Sequence, residues 1–166
     1  TDVLGRVIEV ASGTTLDEFF SKKILGPLGM HDTAFWVSDD KHERLAALYG
    51  VNESTGGFKR LETIGNGAKS KPVYLSGGGG LVSTAFDYFL FMQMLANRGV
   101  LGDVRLLSPA SISLMTMNHL PNNQDVTTFG RAIGEELYFD GVGFGLGVSV
   151  VIDQAKTRSL SPTGTY

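Results

Sequence analysis

Cysteine is absent from the 166 residues, which removes disulfide frameworks, thiolate nucleophiles and cysteine-ligated metals together. Basic runs are missing as well. The 14 lysines and arginines are scattered and the formal net charge is −3, so no electrostatic footprint for nucleic acid is present. No stretch reaches the ~18 uninterrupted apolar residues of a membrane span, and the first residues lack the basic start and apolar run of a signal peptide. Neither nucleic acid nor a membrane span is therefore expected. What is present, 42% hydrophobic and 19% charged residues, is ordinary for a globular domain with one sizeable core.

Helical periodicity opens the chain. Val3, Leu4, Val7, Ile8 and Ala11 fall on one face over residues 2–12, and Gly13 stops that helix. Thr15-Leu16-Asp17-Glu18 has the letters of a capping box, in which the threonine oxygen accepts from the third backbone N–H and the glutamate reaches back. The helix that follows carries Leu16, Phe19, Phe20 and Ile24 and is expected to end at Gly26-Pro27. Residues 32–37 are short and β-compatible, and residues 38–48 read as a small surface helix. Over residues 50–75 no period survives, which predicts a loop excursion with one weak strand near Phe58.

Thr84 caps a further helix running to Arg98, with Gly99 as its left-handed stop. Apolar residues cover nearly its whole circumference, so it is expected to be central and surrounded by protein. Ser108-Pro109 starts another helix that ends near Met117. From Val142 to Ile152 large apolar residues alternate with Gly143, Gly145, Gly147 and others, the period of one long strand whose glycine face must be closely approached. Residues 163–166 are placed to begin a returning antiparallel strand. Helices with an incomplete antiparallel sheet make an α/β (α+β) layer structure. The expected organisation is a single internal fragment of a larger domain over residues 1–166. Residues 1–138 are its mostly helical part, and residues 139–166 hold the sheet strand and the start of its return.

Several patterns carry possible chemistry. Ser38-Asp39-Asp40-Lys41 has the letters Ser-x-x-Lys, which place a nucleophile and a base on one helical turn. Two adjacent carboxylates hold such a lysine protonated, and Ser38 reads as a helix cap. Lys156-Thr157 matches two letters of a Lys-Thr-Gly strand motif, but Arg158 stands where glycine is needed, and no Gly-x-Ser-x-Gly elbow occurs. His31, His42 and His119 lack any metal-ligand spacing, and His31, at a helix-to-strand corner, reads as structural. The run of glycines at 77–80 matches neither nucleotide-loop spacing, so a tight passage beside a substrate pocket is the expectation.

The order of segments resembles the family of class C β-lactamases, penicillin-binding-protein-like carboxypeptidases and family VIII carboxylesterases. Three stretches carry the likeness: residues 1–9 running into Leu25-Gly26-Pro27-Leu28-Gly29-Met30-His31-Asp32-Thr33; residues 76–84 with Asp87-Tyr88, continuing through Arg105-Leu106-Leu107-Ser108-Pro109 to Met115-Thr116; and residues 143–147 followed by 161–166. The resemblance implies a partial β-lactamase/transpeptidase-like fold. It also implies that the acylating serine and its lysine lie upstream of Thr1, the assisting tyrosine just before it, and the third motif after Tyr166.

Only Gly78 and Gly79 then remain as site residues, lining the substrate cleft, and no residue of this chain is assigned as catalytic or as a metal ligand. The short connection from Ile152 to Tyr166 resembles the esterase branch more than the true β-lactamases. The implied activity of the intact parent is hydrolysis of a short acyl ester or a β-lactam through an acyl-serine intermediate, with the isolated chain inactive. No cofactor is implied. The expected partners are a small ester or β-lactam substrate in the parent, and either a second copy or complementing chain segments that cover the open sheet. The alternative is a non-catalytic binding or scaffold module that kept the fold.

Overall fold

The computed structural model of the chain describes residues 1–129 and 139–166. The end of the expected helical part, residues 130–138, lies outside the described residues. The chain divides into two compact units, Thr1–Met94 with Leu101–Leu106, and Leu95–Val100 with Leu107–Tyr166.

In the first unit, helix α1 spans Asp2–Ser12 and closes at Gly13, whose φ of 69° lets its N–H reach the Glu9 carbonyl. Helix α2, Leu16–Phe20, starts where the capping box is written, but Thr15 makes no side-chain cap. Glu9 Oε1 instead accepts from the Leu16 N–H at 3.1 Å. A carboxylate arriving from the preceding helix serves the first helical N–H, an orphan donor that a capping box does not reach.

The helix also outlasts Gly26-Pro27. A π-helical turn, Ser21–Leu25, leads into α3, Gly26–Leu28, which ends at Gly29 with φ 73°. A Cβ at residue 26 would stand 2.7 Å from the Ser21 carbonyl, so the widened turn requires glycine there. Pro27 sits in the first turn of α3, where a missing N–H costs nothing.

Residues 32–37 form no strand, only a single antiparallel bridge between Ala34 and Val82. The expected surface helix after Ser38 is a 3₁₀ turn, Asp39–Arg44. The excursion is more ordered than its composition announces: β1, Tyr49–Val51, pairs antiparallel with β2, Phe58–Arg60, and α4, Glu62–Gly67, follows. Leu16, Leu25, Leu28, Met30 and Phe35 are buried, and the rings of Phe20 and Phe35 stand 5.7 Å apart.

Helix α5, Ala85–Ala96, buries Asp87, Met94 and Leu95. Phe86, Tyr88 and Phe89 are more than half exposed, against the expectation of a helix surrounded on most sides. Apolar composition all round a helix gives it the capacity to be buried, and the described residues use only part of that capacity. A short ribbon follows, β3 at Val100–Leu101 and β4 at Val104–Arg105.

The second unit opens its own helix α6, Pro109–Met115, as its sequence dictates: Ser108 Oγ accepts from Ser111 N at 3.0 Å, with proline at the start. After two 3₁₀ turns, Pro121–Asn123 and Val126–Thr128, comes the main departure from expectation. The alternating stretch is a hairpin and not one long strand. Strand β5, Val142–Phe144, pairs antiparallel with β6, Ser149–Val151, and Gly147 turns with φ 93°. A period of two fits a single strand and a tight hairpin equally well, and glycine at 147 supplies the left-handed residue that decides for the hairpin.

The close approach to the glycines is present. A Cβ at Gly143 would collide with the Asn118 amide, and one at Gly145 with the Met115 carbonyl. The last helical turn, α7, Gln154–Thr157, is capped by Asp153. The backbone then returns along β6, with Val151 N donating to Thr165 O and Gly164 N to Val151 O, both at 2.8 Å.

Candidate functional site

The glycine run at 77–80 is fixed by the N-terminus of α1. Ser76 Oγ donates to Asp2 Oδ1 at 2.7 Å, and the Gly78 N–H donates to the same oxygen at 2.9 Å. Ser76 Oγ in turn accepts from the N–H groups of Gly78 and Gly79 at 3.2 and 3.1 Å. These bonds hold the Asp2 carboxyl below its ordinary range, the Ser76 hydroxyl contributing most and the Gly78 amide next. Asp2 and Ser76 escaped the sequence reading. The signals for them were an aspartate in the first turn of α1 and a serine directly before the glycines, the chemistry of a local cap carried across 74 residues.

Within the run the glycines differ in why they are glycine. Gly77 lies backbone to backbone against α1, where a Cβ would be 3.0 Å from the Thr1 carbonyl and 3.3 Å from the Gly5 Cα. A Cβ on Gly78 would come within 2.6 Å of Thr1 Oγ1, and one on Gly80 within 2.7 Å of the Ser76 carbonyl. Gly79 has nothing within 4 Å of that position and no positive φ. Of the two residues expected to line a substrate cleft, Gly78 is thus packed against α1 and Gly79 faces open space.

Lys41, the base of the Ser-x-x-Lys letters, is committed elsewhere. Its Nζ donates to Asp32 Oδ1 at 2.6 Å and to the His31 carbonyl at 3.2 Å. Arg44 grips the same carboxylate with both terminal nitrogens, at 3.0 and 2.7 Å. Arg44 first and Lys41 second hold the Asp32 carboxyl far below the usual carboxylate range. Ser38 precedes the 3₁₀ turn, and its hydroxyl lowers the pKa of Asp40. No nucleophile–base pair forms here.

His42 Nε2 lies 3.0 Å from the Val37 carbonyl and His119 Nε2 2.7 Å from that of Leu114. Among the described residues no group of three potential ligands could hold a metal ion. Lys156 sits in α7 with its Nζ 3.5 Å from Asp153, and Arg158 is left-handed with φ 54°. A cleft of about 420 Å³ in the first unit is lined by Asp17, Glu18, Met30, His31, Trp36 and neighbours, without either Gly78 or Gly79. Lys71 Nζ lies 3.2 Å from Asp17 Oδ2 and 5.0 Å from the Trp36 ring centre. No described helix is long and apolar enough to cross a membrane.

A family model described as Beta-lactamase matches residues 1–164. Protein Rv1367c of Mycobacterium tuberculosis is 38% identical over 163 residues, which are 98% of this chain and 39% of that protein. A lovastatin esterase of Penicillium rubens is 35% identical over 122 residues, 72% of this chain and 29% of the esterase. Among solved structures, EstCE1, a hydrolase with promiscuous acyltransferase activity, superposes with a TM-score of 0.70 at 27% identity, covering 98% of this chain and 42% of that one. The LovD6 mutant of simvastatin synthase from Aspergillus terreus shares the fold at a TM-score of 0.79 and 22% identity, with 98% and 41% covered. The chain spans about two fifths of the length of the first of these relatives.

Proposed function

Since this chain belongs to the beta-lactamase family, with mixed helices and short antiparallel strands and with esterase and acyltransferase neighbours, we propose that it is the internal part of a serine hydrolase acting on short acyl esters. In that enzyme an activated serine attacks the ester carbonyl, the alcohol leaves, and water releases the acyl group from the serine. Backbone N–H groups hold the oxyanion during both steps. The serine, its lysine and the assisting tyrosine come from chain beyond this sequence.

The observation that carries this reading is the engagement of Lys41. The sequence holds one Ser-x-x-Lys, and its lysine is bound to Asp32 at 2.6 Å, a carboxylate also gripped by Arg44. A lysine so engaged points its ammonium at Asp32 and the His31 carbonyl and is not placed to serve as the base of a serine. What this chain contributes is the pocket wall: Gly79 borders the acyl cleft with bare backbone, and Gly78 holds it in place against Asp2. The ester preference is supported by the 35% identity to an esterase and by the short connection from Ile152 to Tyr166.

The test is an assay of the purified chain with a p-nitrophenyl butyrate ester and a chromogenic β-lactam. No turnover is expected with either. Ester hydrolysis abolished by Ser38→Ala would overturn the assignment, because the nucleophile would then lie within this chain. Hydrolysis of the β-lactam alone, once the missing segments are supplied, would overturn the ester preference.

A further inference from the structure

The cleft of about 420 Å³ in the first unit is of the size that small molecules occupy, and neither Gly78 nor Gly79 lines it. Leu25, Met30 and Phe35, all buried, and the half-buried Trp36 supply its apolar lining. Its charged lining is unevenly matched. Glu18 and Lys22 pair with each other at 2.9 Å, which leaves the carboxylate of Asp17 without a partner inside the lining.

That carboxylate is served on one side only. Its side chain is 16% exposed, and Oδ2 meets the ammonium of Lys71, a residue of the excursion 54 positions away, at 3.2 Å. The other oxygen, Oδ1, is buried and has no hydrogen-bond partner among the described residues. A carboxylate in that condition retains an unmet demand for donors. The same Lys71 ammonium stands 5.0 Å from the centre of the Trp36 ring. One ammonium held by a carboxylate and an indole face is the arrangement by which proteins recognise amine ligands.

Lys71 is a loosely held occupant. Its side chain is 59% exposed, and an ion pair so open to solvent shifts an equilibrium by about fivefold at most. The backbone on either side is fixed without it. The Val37 N–H donates to the Ala68 carbonyl at 2.8 Å, and Ser76 is bound to Asp2. Lys71 can therefore leave Asp17 while the segment that carries it stays in place.

We propose that this cleft binds a small organic cation, a primary amine with an apolar arm, whose ammonium takes the place that Lys71 holds between Asp17 and Trp36. The arm then lies along Leu25, Met30 and Phe35, where the lining is apolar. An anion suits the cleft less, because Asp17 would repel it and the lining cation Lys22 is already paired with Glu18. The site is separate from the proposed ester hydrolysis and does not depend on it.

Trp36 is the only tryptophan in the chain, so its fluorescence reports on this cleft alone. The purified chain is titrated with n-butylammonium chloride, with n-butanol and sodium chloride as the neutral and the inorganic comparison. A saturable change in emission with the amine, in the millimolar range, is expected, and none with either comparison. Lys71→Ala should bind the amine about fivefold more tightly, since the internal competitor is gone, and Lys59→Ala should leave binding unchanged. Asp17→Asn should weaken binding at least about fivefold. Should Asp17→Asn fail to fold, Trp36→Leu read by calorimetry carries the same expectation.

No saturable change in Lys71→Ala overturns the proposal. So does an equal response to n-butanol or to sodium chloride, because the ammonium would then not be what is recognised. Binding that is no tighter in Lys71→Ala than in the unaltered chain overturns it as well, and so does binding that survives the loss of Asp17 or of Trp36.

Discussion

Asp87 Oδ2 accepts from the Thr33 hydroxyl and from the Asp32 N–H, each at 2.8 Å, and so ties α5 to the corner that follows α3. Both side chains are buried, Asp87 4% and Thr33 7% exposed. Asp87→Ala leaves a hydroxyl and an amide without this acceptor, and a loss of about 2–4 kcal/mol is expected. Thr33→Val removes one donor and should cost less. Urea unfolding of the variants measures both, and equal costs would show that the Thr33 hydroxyl, which also meets the Ser83 hydroxyl at 2.8 Å, contributes as much as the carboxylate.

The carboxylate of Asp32, held between Arg44 and Lys41, gives the first unit an acid-sensitive element. Its folded pKa lies far below the unfolded value, so its contribution is fully present above the ordinary carboxylate range. That contribution is lost as pH falls below the ordinary range toward the folded value. Asp32→Asn should flatten this part of the acid limb in a plot of stability against pH, while leaving the neutral region with a lower but pH-independent value. An unchanged acid limb would count against the pairing.

Gly145 and Gly79 should respond oppositely to a methyl group. Gly145→Ala drives Cβ into the Met115 carbonyl, and a cost of at least about 2 kcal/mol is expected. Gly79→Ala meets no atom and no unfavourable φ, so stability should change by less than about 1 kcal/mol, in the stabilising direction if at all. Thermal unfolding distinguishes these. In the longer hydrolase proposed above, Gly79→Ala should lower ester turnover despite its benign effect on folding.

Ser108 is the cap of α6, accepting from Ser111 N at 3.0 Å. Ser108→Ala should cost about 1 kcal/mol, and Ser108→Asp should restore most of it. A denaturant midpoint unchanged in Ser108→Ala would mean that the cap adds nothing to the folded state.

Where local chemistry decides, the sequence is readable. The bounds of α1, its stop at Gly13 and the Ser108-Pro109 start of α6 follow from caps and φ preferences that involve only neighbouring residues. The close approach to Gly143 and Gly145 is legible too, because glycine repeated on one face of an extended run leaves a groove that a packed interior must fill with a neighbouring chain. Features decided by distant residues are not. Glu9 reaches the first N–H of α2 from the preceding helix, a π-helical turn carries the helix past Gly26, and Gly147 folds an apparent strand onto itself. The candidate site divides the same way. The glycine run announces a tight passage, but the Asp2–Ser76 clamp that fixes it joins residues 74 apart, and only the fold brings them together.

The side chain of Asn118 uses both its oxygen and its nitrogen twice. Oδ1 accepts from the N–H groups of Leu120 and Phe144, and Nδ2 donates to Asn123 Oδ1 and to the Gln124 carbonyl. Aspartate would forfeit both donors, and serine or threonine would not span the distance. One amide therefore couples two places that are far apart along the chain: a change at Asn118 must be answered both in the turn at 120–124 and at the edge of β5.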